Sequence, residues 1–152
     1  YDMDNRLNYF IARSVFAEEK FKYKNPPVSK NVIMFENQIN WNEPITLVEG
    51  VFDAVFVDGI SVLGNVVTPE QAHLIDKLNK RVILCPDRDD PGKELIDQAV
   101  DLGWEVSFPP WHPDVKDAAD AVERYGRLLT VKSIVDFATN NKVKIRVQSK
   151  ML

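Results

Sequence analysis

Short apolar runs recur along the middle of the chain, and each is followed by an acidic residue, a glycine or a proline. Residues 45–48 are apolar or β-branched without polar alternation, which is typical of a strand covered on both faces. Similar runs predict strands at residues 60–63 and 82–85, and the alternation of apolar and polar positions over residues 104–108 predicts a fourth. The pattern therefore indicates four strands spread over some sixty residues.

Helical periodicity occupies the intervals between these strands. Phe52, Val55 and Phe56 recur at helical spacing. Thr68 and Gln71 have the spacing of a capping box, which predicts the start of a second helix. Two further helices are predicted by the apolar positions Leu95, Ile96, Ala99 and Val100, and by residues 117–125 before Gly126.

Strands that alternate with helices indicate an α/β fold, with a parallel sheet sandwiched by helices. Both ends of the chain differ from this pattern. Residues 1–13 predict two short strands turning at Asp4-Asn5, within a small β-containing subdomain over residues 1–42. Residues 130–140 predict a further helix, and the alternation of residues 142–147 predicts a terminal edge strand.

Composition excludes several classes of protein. The chain has 152 residues, of which 45% are hydrophobic and 28% charged, so its length and apolar content suit one compact domain. It contains neither a run of about 18 apolar residues nor an N-terminal signal pattern, so we expect a soluble cytoplasmic protein without a membrane partner. Cys85 is the single cysteine and the chain has only two histidines, which argues against a disulfide or a zinc site. Because the chain begins at Tyr1, we expect a fragment of a longer protein.

Charge is segregated along the chain. Residues 1–42 carry 6 basic and 5 acidic side chains, whereas residues 43–126 carry 7 basic and 17 acidic ones. Residues 127–152 carry 6 basic and 1 acidic side chain. The net charge of −4 argues against indiscriminate nucleic-acid binding, but the acidic middle segment requires a closer look at where its carboxylates lie.

Acidic residues follow two of the predicted strands. Glu49 closes the first strand, and Asp87 and Asp89 follow the third. Ligands bind beyond the carboxyl ends of strands in an open parallel sheet, so these acids converge if the two strands are neighbours. Crowded carboxylates are tolerated chiefly around a hard divalent cation, and oxygen ligands favour Mg²⁺ or Mn²⁺ over zinc.

Further acids lie near the same predicted crevice. Asp53 is one helical turn beyond Glu49 and can orient it without binding the metal ion itself. Gly50 permits close backbone approach beside the acid. Asp117 and Asp120 open the helix after the fourth strand, where they either enter the crevice or only cap the helix.

Two motif sets resemble a known family. Leu47-Val48-Glu49-Gly50 with Asp87-Arg88-Asp89 resembles the Toprim domain, which is shared by bacterial-type primases, topoisomerases and certain nucleases. Residues 4–13, followed by Phe21-Lys22-Tyr23-Lys24-Asn25, are similar to the basic N-terminal subdomain of DnaG-type primase cores. The resemblance covers about residues 1–126 and is closest in style to a phage primase. Together with the patterns above, it predicts a basic subdomain over residues 1–42, a Toprim domain over 43–126, and a C-terminal helix and edge strand over 127–152.

The resemblance implies a primase catalytic core that makes RNA primers on single-stranded DNA from ribonucleoside triphosphates. Two or more Mg²⁺ or Mn²⁺ ions would be held by Glu49, Asp87, Asp89, Asp117 and Asp120. Asp87 and Asp89 are then direct metal ligands, and Glu49 either joins them or acts as general base. It also implies template or nucleotide contacts from Arg13, Lys22, Tyr23, Lys24 and Asn25.

Alternative functions remain open at this point. The same acids and metal ions can direct water to a phosphate, as in a Toprim metal nuclease. A non-enzymatic signalling domain that binds Mg²⁺ through strand-end aspartates is a further alternative. The basic Lys-Tyr-x-Asn segment favours the primase, whose partner helicase would bind through regions absent from this chain.

Overall fold

The computed structural model describes residues 1–16, 18, 20–88 and 92–151. The strands of this part of the chain are β1 (Ala12–Arg13), β2 (Tyr23–Lys24), β3 (Ile45–Val48), β4 (Ile60–Ser61), β5 (Val82–Leu84), β6 (Glu105–Ser107) and β7 (Ala138–Thr139). Its α-helices are α1 (Val51–Val57), α2 (Pro69–Lys77), α3 (Gly92–Leu102), α4 (Ala118–Tyr125), α5 (Arg127–Asp136) and α6 (Lys142–Gln148). A short 3₁₀ helix covers Glu36–Gln38.

A five-stranded sheet in the order β4-β3-β5-β6-β7 forms the centre of the molecule. The pairs β3–β4, β3–β5 and β5–β6 are parallel, and β7 adds an antiparallel edge. In the β3–β5 pair, Ile45 lies beside Val82 and Leu47 beside Leu84. This arrangement confirms the predicted α/β fold and its mostly parallel sheet.

Alternate strand residues face two different helix layers. Leu47 and Leu84 belong to an apolar cluster that also contains buried residues of α2, α3 and α6. Val48 and Ile83 point to the other face, in a cluster with buried residues of α1, α4 and α5. Because both faces of the sheet are covered, these strands consist of apolar and β-branched residues without polar alternation, and this is the pattern that made them recognisable in the sequence.

Most predicted helix boundaries agree with the structure, but the helix predicted over residues 130–140 is α5 at Arg127–Asp136, and residues 138–139 belong to β7 instead. The capping box of α2 is formed, with Thr68 Oγ1 accepting from the Gln71 N–H at 3.2 Å and Gln71 Oε1 accepting from the Thr68 N–H at 2.9 Å. The four apolar positions predicted for α3 are all buried. Helix α4 begins after its N-cap Asp117 and ends at Gly126, as predicted.

Helix α1 forms where predicted, but the residues that suggested it are on its exposed side. Phe52, Val55 and Phe56 are 42%, 54% and 46% exposed, whereas Ala54 and Val57 pack against the sheet. Apolar residues occupy both sides of this seven-residue helix. Spacing alone therefore does not indicate which side is buried.

The predicted terminal edge strand is wrong. Residues 142–148 form helix α6, in which Asn141 caps the N-terminus by accepting from the N–H groups of Val143 and Lys144. Only Ile145 among the alternating apolar residues is buried, and it joins the core cluster. Strand β7 occupies this edge of the sheet instead. The alternating pattern also fits a short helix with a single buried residue, and for that reason the sequence predicted the wrong element.

The N-terminal strands also differ from the prediction. Residues 2–6 form a turn closed by Asp2, whose carboxylate accepts from the N–H groups of Asp4 and Arg6. The strand pair lies further along, where β1 is antiparallel to β2 and Arg13 is opposite Tyr23. The two short strands are therefore not joined by the turn at Asp4-Asn5. They lie C-terminal to it and are separated by residues 14–22.

Gln71 fastens the N-terminal segment to the core. It is 1% exposed, and its side-chain amide nitrogen donates to the carbonyls of Lys30, Val32 and Val62 at 2.8–2.9 Å. The adjacent Ile33 is completely buried in the main core cluster. The two N–H bonds of one buried side chain thus lie within hydrogen-bonding distance of three carbonyl groups, which links the N-terminal segment to the core.

We predict that Gln71→Glu lowers the free energy of unfolding by roughly 3 kcal/mol, because a donor to three carbonyls becomes a negatively charged acceptor of the same shape. Urea unfolding monitored by circular dichroism measures this loss. The matched control is Glu70→Gln at the neighbouring exposed position, which we expect to change stability by less than about 0.5 kcal/mol. Equal effects of the two substitutions would contradict the role assigned to Gln71.

Candidate active site

Two strand-end acids meet where β3 and β5 run side by side. Glu49 follows β3 and Asp87 follows β5, and the Asp87 N–H donates to Glu49 Oε1 at 3.2 Å. On the other side of β3, the buried Ser61 hydroxyl of β4 donates to the Glu49 carbonyl at 2.7 Å. The neighbouring strands thus hold Glu49 from both sides. Asp89, the other predicted ligand of this loop, lies outside the described residues.

Asp53 joins α1 to the start of α4. It is 8% exposed, and its Oδ1 accepts from the Ala119 N–H at 2.9 Å. Burial raises the pKa of the Asp53 carboxyl, and the neighbouring negative charge of Asp117 raises it further against the lowering effect of the Ala119 hydrogen bond. Asp53 is therefore a buried acid held beside another acid. Such a pair is stabilised by a nearby cation.

Gly50 is required by this packing. A Cβ at position 50 would lie 2.1 Å from Asp53 Oδ2, which is closer than nonbonded atoms approach. Any larger residue would push the Asp53 carboxylate away from the position in which it accepts from Ala119. The glycine after Glu49 thus admits the carboxylate of Asp53 close to the backbone.

Asp117 has both of the roles that the sequence left open, and Asp120 has one of them. Asp117 caps α4 by accepting from the Asp120 N–H at 2.7 Å, and Asp120 accepts from the Lys116 N–H at 3.1 Å. Both residues also line a cavity of about 610 Å³, together with Glu49 and Asp53. Asp87 is not among the described residues that line this cavity, although it contacts Glu49.

The N-terminal hairpin forms the other side of the same cavity. Arg13, Tyr23 and Asn25 line it, as does Lys30, which the sequence analysis did not identify. Lys22 and Lys24 are exposed and lie outside the described lining. Three of the five side chains predicted to contact template or nucleotide are therefore close to the carboxylates.

Arg88 is a structural residue of the site that the sequence analysis missed. Its own N–H donates to the Lys116 carbonyl at 2.8 Å. Its guanidinium donates to the carbonyls of Pro109 (2.6 Å), Trp111 (3.1 Å), His112 (3.2 Å) and Val115 (3.4 Å). Arg88 thereby ties the loop after β5 to the segment that leads into Asp117. A single basic residue within the acidic run after β5 was the signal for this role.

Comparison with known proteins agrees with this geometry. Residues 46–123, about half of the chain, match the family model described as Toprim-like. The chain belongs to the Toprim-like family. The matched region begins in β3 and ends in α4, so this Toprim-like core contains Glu49, Asp87 and Asp117.

The relatives of this Toprim-like chain include two DNA primases. The DNA primase of Aquifex aeolicus (strain VF5) is 30% identical over 145 residues, covering 83% of this chain and 29% of that protein. The DNA primase of Halalkalibacterium halodurans is 28% identical over 138 residues, covering 78% and 23%. The chain therefore spans less than a third of the length of these curated relatives.

A solved structure extends the similarity beyond the Toprim-like core. The crystal structure of the zinc binding and RNA polymerase domains of Aquifex aeolicus primase superposes with a TM-score of 0.72 at 25% identity. The superposition covers 89% of this chain and 38% of that one. It therefore includes most of the N-terminal segment as well as the core.

Toprim domains generally bind Mg²⁺. The carboxylates that line the cavity fit this ion in kind, because they offer oxygen ligands and Asp53 and Asp117 lie close enough to repel. Cys85 is completely buried and burial raises the pKa of its thiol, so it does not supply a thiolate ligand. Within the described ranges, no three His, Cys, Asp or Glu side chains are placed to hold one ion, and the predicted ligand Asp89 lies outside them.

The described helices were also compared with the requirements of a membrane span. None of them has both the length and the apolar character needed to cross a bilayer.

We predict that Arg88→Ala and Arg88→Lys both lower the free energy of unfolding by about 2 kcal/mol, because a lysine ammonium cannot reach four carbonyls at once. Amide hydrogen exchange over residues 109–117 should accelerate in both variants. Arg124→Lys, at an exposed position of α4, is the control and should leave exchange in this segment unchanged. Unchanged exchange in Arg88→Lys would show that charge alone, rather than the guanidinium fork, holds the segment.

Proposed function

We propose that this chain is the RNA polymerase domain of a DnaG-type DNA primase, which synthesises RNA primers on single-stranded DNA from ribonucleoside triphosphates. The observation that carries the proposal is the shared cavity. In it Glu49, at the end of a strand of the Toprim-like core, and the acids Asp53, Asp117 and Asp120 lie in one cavity with three hairpin residues, Arg13, Tyr23 and Asn25. The similarity to two DNA primases, and to a solved RNA polymerase domain, supports the same conclusion.

The chemistry is the attack of a 3′ hydroxyl on the α-phosphate of an incoming nucleotide, with pyrophosphate as the leaving group. Phosphoryl transfer requires mainly positioning and stabilisation of charge. Two or more Mg²⁺ or Mn²⁺ ions, when bound, would supply the positive charge that such a transfer needs near the attacking hydroxyl and the leaving group. Glu49, Asp87, Asp89, Asp117 and Asp120 would hold these ions, and no zinc site is proposed in this chain.

The chain's own residues have distinct tasks in this proposal. Glu49, held between β4 and the β5 loop, either binds metal or accepts the proton of the attacking hydroxyl. Asp53 and Gly50 support the ligands by fixing α4 against α1. Arg13, Lys22, Tyr23, Lys24 and Asn25 bind template or nucleotide, through phosphate contacts and base stacking.

A metal-dependent nuclease is the second candidate. It would use the same carboxylates to direct water, rather than a sugar hydroxyl, to a phosphate. The position of Arg13 and Asn25 in the acid-lined cavity favours the polymerase, because templated synthesis must hold a strand and a nucleotide together. A Mg²⁺-binding signalling domain is the least supported, since it has no need of such a hairpin.

The proposal extends to the biological setting. We expect the polymerase to work in the cytoplasm, of a host cell if the protein belongs to a phage, and to cooperate with a replicative helicase through regions outside this chain. Division of the chain at residues 42 and 126 also stays a prediction.

We predict that Glu49→Gln and Asp87→Asn each reduce primer synthesis at least about 100-fold, because they remove charge from the metal site while keeping side-chain shape. The assay follows labelled ribonucleotides on single-stranded DNA with Mg²⁺ or Mn²⁺, with Asp89→Asn measured alongside. The backbone N–H of residue 87 and an acceptor oxygen at residue 49 remain, so the fold should persist.

Asp76→Asn, at an exposed position of α2, is the control and should retain full activity. Full synthesis by Asp87→Asn would contradict the assigned metal site. Cutting of the DNA without synthesis by the unaltered chain would favour the nuclease instead.

We predict that the double variant Arg13→Ala, Lys22→Ala weakens binding of single-stranded DNA and reduces its salt dependence. If both side chains contact phosphates, the slope of log K against log salt should shrink by about 1.4, or about 0.7 per contact. Fluorescence anisotropy at several salt concentrations measures the slope. The control Lys77→Ala, Arg124→Ala removes the same charges from exposed positions elsewhere. An unchanged slope in the hairpin variant would exclude phosphate contact.

A further inference from the structure

An aromatic wall lies inside the candidate active site. Phe52 and Phe56 are four residues apart on α1, so their rings project from the same side of the helix. Both line the cavity that contains Glu49 and Asp53, and they are 42% and 46% exposed. Because Ala54 and Val57 already pack α1 against the sheet, the fold does not require large rings on the outer side.

Arg13 connects this wall to the N-terminal hairpin. Its guanidinium carbon lies 5.8 Å from the centroid of the Phe52 ring and 5.6 Å from that of Tyr23. Both distances are within the range of a cation–π interaction. A positive charge, an aromatic surface and carboxylates therefore meet in one cavity.

Two parts of a nucleotide, its phosphates and its base, match these three surfaces. Its phosphates require cations, either from side chains such as Arg13 or from metal ions held by carboxylates. Its base is a flat aromatic ring that stacks on phenylalanine and on guanidinium groups whatever its sequence. A purely polyanionic ligand would make no use of exposed phenylalanines beside the acids.

We propose that Phe52, supported by Phe56, forms the stacking surface for a nucleobase of single-stranded nucleic acid in this cavity. This inference rests on the proposed function, because it names the part of the polymerase site that holds a base. Arg13, whose guanidinium lies over the Phe52 ring, is then positioned to contact the phosphate or the face of the same nucleotide.

The test compares binding of a labelled single-stranded oligodeoxynucleotide with binding of the same oligonucleotide carrying abasic sites. Anisotropy is measured on the full chain without nucleotides, so that it does not depend on primer synthesis. We expect the unaltered chain to prefer the natural oligonucleotide about tenfold, and Phe52→Ala to lose this preference while binding the abasic strand unchanged.

Two further variants sharpen the comparison. Phe52→Trp should keep the preference, and its added tryptophan emission should be quenched by the natural strand and not by the abasic one. Phe137→Ala is the matched control, because Phe137 is also 42% exposed but lines a different cavity. It should bind both oligonucleotides like the unaltered chain.

Several outcomes would overturn the inference. They are an absence of binding by the unaltered chain, a lack of preference for the natural strand, and retention of the preference by Phe52→Ala. Equal loss of affinity for both strands would show that the ring only holds Arg13. A chain that shows the base preference and its loss in Phe52→Ala but makes no primers would retain the stacking site and refute the polymerase instead.

Discussion

The parallel pairing of β3 with β5 is the constraint on which the rest of this structure depends. Parallel strands point their carboxyl ends to the same edge of a sheet, so the residues that follow them must share one space. Glu49 and Asp87 follow these two strands and are joined by the Asp87 N–H. The pairing therefore creates the site and also concentrates negative charge there, and the surrounding structure has to accommodate that charge.

Backbone N–H groups provide part of that accommodation. The carboxylates of Glu49, Asp53, Asp117 and Asp120 each accept from a backbone N–H of another residue. Such a donor orients a carboxylate and offsets some of its desolvation, but leaves its net charge in place. The raised pKa of Asp53 shows that this compensation is incomplete. The cavity consequently has chemistry that favours a cation, while its carboxylates are already oriented by the backbone.

The sequence predicted an element correctly where its apolar pattern fits one kind of secondary structure. It failed where the same pattern fits both a strand and a helix. Strands β3 and β5 are almost entirely apolar or β-branched because both faces of the sheet are covered. For α6, alternation of apolar residues suited a strand, whereas one buried residue and a good N-cap also suit a helix. The choice between strand and helix depends on whether the sheet edge is free, and β7 already occupies it. This is tertiary information that the local sequence does not contain.

The candidate site shows the same division. Glu49 and Asp87 were predictable from the ends of strands, since topology alone brings them together. The side on which Phe52 lies was not, because the short helix α1 is apolar on both sides. A lone basic residue in the acidic run marked the position of Arg88, but the sequence could not show its partners, because they are carbonyl groups of a loop and leave no pattern in the side chains.

The charge pattern of the chain acquires its meaning only through the fold. A segment with 7 basic and 17 acidic residues repels a polyanion, so acids alone cannot hold a template strand. The hairpin places Arg13 against Phe52 of the acidic segment, within the same cavity as Glu49 and Asp53. In the proposed function, attraction for a nucleic acid thus comes from one part of the chain and affinity for metal ions from another. A site that must hold both a polyanion and its counterions requires this separation, because cations placed among the carboxylates themselves would neutralise the ligands that the metal needs.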